Sequence, residues 1–112
     1  MIEALDAGWR AAGGLHDIKS ETRDLFRRPL MPDEFKKVDA IVIDPPRAGA
    51  LSQVTEISKT NVGRIAFVSC NPTTFARDAA ILCNNGYNLD WVQVVDQFLW
   101  NQHIELVSQF TK

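Results

Sequence analysis

Three short segments of this sequence carry side chains that could do chemistry, and the first is Ser69-Cys70-Asn71-Pro72. Asparagine suits a helix N-cap and proline the first helical position, so Cys70 is placed where an apolar stretch hands over to a helix. A thiol there meets unpaired N–H groups and the positive end of the helix dipole, which favour the nucleophilic thiolate. The plain alternative for a cysteine after a strand is burial as a small core residue. Cys83, near the end of the same predicted helix, is read that way.

The second segment is Asp44-Pro45-Pro46-Arg47. Two prolines hold the chain extended after a strand and present the Asp44 carboxylate at the sheet edge. A strand-ending turn, with the aspartate satisfying local N–H groups, is the bland reading. The third is His103-Ile104-Glu105. Residues two apart on a strand share a face, so His103 and Glu105 project together, and a carboxylate in such a pocket can serve as a general base. An exposed polar strand face is its alternative. Asp24, an acid after a weak strand, is a fainter candidate. Arg23, Arg27, Arg28, Lys36 and Lys37 border either a phosphate path or plain solvent, and the formal net charge of −2 favours solvent.

The elements that must position these groups follow from apolar spacing. Leu5, Trp9 and Ala12 predict a helix over 2–12, stopped by Gly13-Gly14. A weak strand is expected at 15–22, then a loop with Pro29 and Pro32 leading into a short helix within 27–34. Residues 38–43 and 64–69 are near-continuous apolar runs ending in Asp44-Pro45-Pro46 and Cys70-Asn71-Pro72, as parallel strands covered by helices on both faces do. Leu51, Val54, Ile57 and Ser58 fall at helical spacing between them. A helix over 73–83 follows, then strands at 89–95 and 103–110, joined as a hairpin by 96–102. This alternation predicts an α/β fold with a mostly parallel sheet, Asp24, Asp44 and Cys70 lying at the carboxyl ends of strands, where such sheets bind ligands.

The 112 residues allow one domain, 1–112, and 46% apolar with 23% charged residues is an ordinary globular composition. No apolar run approaches the ~20 residues of a membrane span. Two cysteines outside any CxxC pattern make neither a disulfide framework nor a zinc site, which points to a reducing, cytoplasmic setting and to no metal.

Taken together, Asp44-Pro45-Pro46-Arg47-Ala48-Gly49, Val68-Ser69-Cys70-Asn71-Pro72, Asp96-Gln97-Phe98 and His103-Ile104-Glu105 resemble the RNA (uracil-5-)-methyltransferases, which make 5-methyluridine in ribosomal and transfer RNA. The resemblance implies S-adenosylmethionine as cofactor and RNA as partner, with 23S rRNA among the substrates expected. It implies that Cys70 is the nucleophile and Glu105 the proton-abstracting base, and that Asp44 and Asp24 contact the cofactor. It also implies a Rossmann-like class I methyltransferase sheet, here partial: the first two strands and the Gly-rich turn have no counterpart. Residues 1–112 are therefore expected to be a C-terminal catalytic portion, inactive alone. The open sheet edge is expected to be closed by a strand near Ile18 pairing beside 38–43, or by self-association of two chains. Two other readings stand beside this one. An amino-methyltransferase would also use Asp44-Pro45-Pro46, but its next residue is usually aromatic rather than Arg47, and it gives Cys70 no role. The other is a non-catalytic remnant of a methyltransferase.

Overall fold

The structure is a computed structural model that describes residues 17–96 and 104–112. The predicted helix over 2–12, Gly13-Gly14, His103 and nearly all of the loop over 96–102 lie outside the described residues. Four strands, β1 (Ala40–Ile43), β2 (Arg64–Ser69), β3 (Asn88–Val95) and β4 (Glu105–Thr111), form one sheet in the order β1-β2-β4-β3. β1 and β2 are parallel and joined by helix α1 (Leu51–Ser58); β2 leads through helix α2 (Pro72–Asn84) to β3. β4 runs antiparallel to both β2 and β3 and lies between them. The two crossovers carry the apolar runs in one direction, as βαβ units do. The C-terminal hairpin then reverses the chain.

The alternation along β2 and β4 shows which face is covered. Ile65, Phe67 and Ser69 are buried and stand opposite Phe110, Ser108 and Leu106, while the residues between them are exposed or half-buried. Val54 and Ile57 of α1 and Phe75, Ala79 and Leu82 of α2 close over that face in a single core. Phe67, Phe75 and Phe110 make its aromatic centre, with ring centroids 5.4, 6.4 and 6.3 Å apart and the closest pair edge-to-face. Because Phe67 precedes Cys70 by three residues on β2, this cluster fixes the strand that delivers the thiol.

The structure departs from the sequence-based expectations in two places. Residues 17–22 form no strand, and β1 is an outer strand of the described sheet. Pairing by a strand near Ile18 is therefore not how this edge is closed. Leu15 and Ile18 are too sparse an apolar pattern to anchor a strand. The described helices also cover one face, not both: Val42 is 77% exposed on the other. Continuous apolar runs did not guarantee two-sided burial.

The segment before β1 is instead tied down by polar contacts. The Arg23 guanidinium donates to the carbonyls of Arg28 (2.7 Å) and Pro29 (2.9 Å) and to Glu34 (3.0 Å). Glu34, in the 3₁₀ turn Pro32–Phe35, also accepts from the Met31 amide at 2.7 Å. These two donors, the Met31 amide first, hold the Glu34 carboxyl below its usual range. A lowered folded-state value means that the ionised carboxylate stabilises the segment at neutral pH, and that this is lost as pH falls through the folded value. Protection of the Met31 amide from hydrogen exchange should drop on that acidification, and Glu34→Gln should remove the pH dependence.

Candidate active site

β2 ends at Ser69, and the next three residues build the turn around Cys70. The buried Ser69 hydroxyl reaches past Cys70 to the Asn71 backbone, accepting from its N–H (3.2 Å) and donating to its carbonyl (3.1 Å). The Asn71 side chain caps α2 by accepting from the Thr73 amide at 3.0 Å, and Pro72 takes the first helical position. Cys70, half-buried, is therefore held at the strand-to-helix junction that its neighbours predicted.

The registers bring the other candidates to the same end of the sheet. The β2–β4 ladder closes with Ser69 opposite Leu106, so Cys70 follows and Glu105 precedes the last paired residues at the same end of the ladder. Glu105 opens β4, half-buried, on the face that α1 and α2 leave uncovered. Parallel pairing of Ile43 with Phe67 puts Asp44, the next residue of the chain, level with Val68, which shares that face by alternation. Asp44 and Cys70 thus follow the carboxyl ends of β1 and β2, and Glu105 opens β4 at the same end of the sheet, the end where ligands of open α/β sheets bind. His103 lies outside the described residues.

Asp24 is placed differently. It follows no strand, and its carboxylate accepts from the amides of Phe26 (3.0 Å) and Arg27 (3.4 Å), closing a turn in which the Arg28 amide bonds back to the Asp24 carbonyl at 2.8 Å. Such an Asx turn needs only local sequence. The expectation of a strand-end acid is corrected here, although the turn sets Leu25 and Phe26 against a cleft of about 270 Å³ along β1. Pro45, Pro46, Gly49 and Ala50 form its opposite rim, and Asp44 is the one charged residue lining it. Cys70 and Glu105 are outside its lining, farther across the sheet.

Sequence reasoning passed over the residues that join the two motifs. Asn71 Nδ2 and Thr74 Oγ1 both donate to the Arg47 carbonyl at 3.1 Å. Arg77 donates to the Ala48 carbonyl at 3.1 Å and pairs with Asp78 at 3.0 Å. Asp78, fully buried, accepts from the Ala50 amide at 2.8 Å. A trace of this was readable: Asp78 lies three residues after Phe75 and four before Leu82, on the apolar face of α2.

This α/β sheet has the fold of a methyltransferase of known structure. The structure overlays Pyrococcus abyssi tRNA (uracil-54, C5)-methyltransferase, solved with S-adenosyl-L-homocysteine, with a TM-score of 0.60 and 39% identity, over 68% of this chain and 19% of that one. Residues 11–111 match the family described as tRNA (Uracil-5-)-methyltransferase, and the chain belongs to that family. It is 52% identical over 111 residues to an uncharacterized RNA methyltransferase of Caulobacter vibrioides, covering 99% of this chain and 27% of that protein. It is 46% identical over 105 residues to the 23S rRNA (uracil(1939)-C(5))-methyltransferase RlmD of Acinetobacter baylyi, covering 91% of this chain and 22% of that one. The chain thus spans about a quarter of the length of these curated relatives. No helix among the described residues is long and apolar enough to cross a membrane.

Proposed function

We propose that this chain carries the catalytic thiol and base of an RNA methyltransferase that modifies carbon-5 of uracil. The observation that supports the reading is the β2–β4 register, which ends with Ser69 opposite Leu106, the residues next to Cys70 and Glu105 in the chain. Carbon-5 of uracil is too weak a nucleophile to take a methyl group directly. The Cys70 thiolate adds to carbon-6, and the displaced electron pair moves through carbon-5 onto the carbon-4 carbonyl. Carbon-5 of this enolate then accepts the methyl group. Glu105 removes the carbon-5 proton, the Cys70–carbon-6 bond breaks, and the thiolate is regenerated. Covalent catalysis of this kind divides one difficult step into easier ones. The uracil must leave its stack to reach the thiol, as bases do in other base-modifying enzymes.

The cleft beside Asp44 fits S-adenosylmethionine in chemistry. Leu25, Phe26, Pro45 and Pro46 offer apolar walls for a purine, and the Asp44 carboxylate can accept from a polar donor of the cofactor. Its volume is close to the lower end of the roughly 300–1,000 Å³ of small-molecule sites. When bound there, the cofactor supplies an electrophilic methyl group on a sulfonium. Asp24 contributes by holding Leu25 and Phe26 in place. The family assignment weighs against an amine-methylating use of Asp44-Pro45-Pro46.

The test uses a chimera in which this chain replaces the matching segment of the Acinetobacter baylyi relative. With RNA containing 5-fluorouracil, where fluorine replaces the proton that Glu105 must remove, the chimera should form a stable covalent complex. Mass spectrometry should locate the adduct on Cys70. Attachment at Cys83, or a folded chimera that neither methylates nor traps RNA, overturns the proposal.

A further inference from the structure

We infer that Thr74, Arg77 and Asp78 are positioning residues that hold the Asp44-side wall of the cofactor cleft in fixed relation to Cys70. The inference rests on the function proposed above. The segment 46–50 leaves the Asp44-Pro45 motif as a tight turn, closed by the Gly49 amide donating to the Pro46 carbonyl at 2.8 Å. Pro46, Gly49 and Ala50 of this turn line the cleft. This loop is carried on the outer strand of the described sheet, and of its side chains only Ala50, at its end, packs against the core. Helix α2 supplies what holds it.

The contacts are spaced to act together. Residues 71, 74, 77 and 78 lie on neighbouring turns of one helix face. Asn71 and Thr74 share the Arg47 carbonyl, Arg77 takes the Ala48 carbonyl, and Asp78 takes the Ala50 amide. Ala50 is also the N-cap residue of α1, so the Asp78 carboxylate stands at the positive end of that helix. The Arg77 bond to Asp78 completes the pairing of a carboxylate that has no access to solvent. The same helix begins at the residue after Cys70 plus one, capped by Asn71. One rigid element therefore grips the cleft wall with its side chains and sets the nucleophile at its start. Displacement of either by about 1 Å is enough to lower turnover strongly.

In the chimera, Arg77→Ala removes both the Ala48 bond and the ion pair to the buried Asp78, and Thr74→Val removes the Thr74 bond to the Arg47 carbonyl at nearly constant shape. Each should raise KM for S-adenosylmethionine about fivefold to tenfold, the scale of one lost hydrogen bond, with KM for RNA changed less than twofold. Arg77→Lys, which keeps one donor, should restore part of the difference. Assays are run well below each variant's melting temperature. Unchanged KM for the cofactor in both variants, or equal rises for cofactor and RNA, overturns the positioning role. If the unsubstituted chimera methylates normally in that case, the proposed function stands without it. A chimera that never forms the Cys70 adduct instead removes the function itself.

Discussion

Cys70→Ala should reduce methylation in the chimera by about 10⁴-fold or more, because deleting a nucleophile removes the covalent route itself. Cofactor binding should be nearly unchanged, since Cys70 is not among the residues lining the cleft beside Asp44. Glu105→Gln should behave differently. The amide keeps the shape of the side chain but cannot take a proton, and general-base losses of about 10²–10⁴-fold are typical. Thiol addition and methyl transfer precede proton removal, so this variant should accumulate a methylated adduct on ordinary uracil RNA, without fluorine. Gel-shifted protein that carries both RNA and one methyl group is the expected readout. If Glu105→Gln is slow yet leaves no adduct, the base lies elsewhere. If Cys70→Ala methylates at the normal rate, the covalent mechanism is wrong.

These two residues were readable in the sequence for different physical reasons. Ser69-Cys70-Asn71-Pro72 encodes its own geometry, because an N-cap, a first-turn proline and a preceding apolar run are local features. β2 accordingly spans the predicted 64–69, and α2 begins at the proline. Glu105 was readable as a residue within the strand predicted over 103–110, but its being at the same sheet end as Cys70 depends on β4 entering the sheet beside β2. No local pattern gives that order. Of the weak strand expected at 15–22, the described residues 17–22 form none, and polar contacts of Arg23 with Glu34 and two carbonyls order the segment that follows. The strand expected before Asp24 is not found over the described residues, and its carboxylate closes a local turn instead. The described helices leave the face of β1 carrying Val42 uncovered, because an apolar run reports what a strand can bury, whereas coverage depends on elements distant in sequence. The roles of Arg77 and Asp78 were not legible locally, since their partners are backbone atoms 29 and 28 residues away.

The turn those partners belong to should tolerate no side chain at Gly49. Its φ of +84° lies in the region that costs an L-residue about 1–2 kcal/mol. A Cβ there would stand 2.6 Å from Arg77 Nη2, 2.8 Å from Asp78 Oδ2 and 3.0 Å from the Thr74 Cβ. The last two atoms cannot swing away cheaply: Asp78 is fully buried and bonded to the Ala50 amide, and the Thr74 Cβ is fixed to the helix. Overpacking of this kind typically costs a further 1–3 kcal/mol. Gly49→Ala should therefore destabilise the protein by about 2–5 kcal/mol in denaturant titration. Any folded population should also lose cofactor affinity, because the methyl group forces residues 46–50 off α2 and so moves the wall that carries Pro46 and Ala50. Gly63→Ala is the matched control, since a Cβ at Gly63 meets no atom within 4 Å. Equal stability of the two variants would mean that the turn is not gripped by α2, and would remove the geometric basis for the clamp along with this prediction.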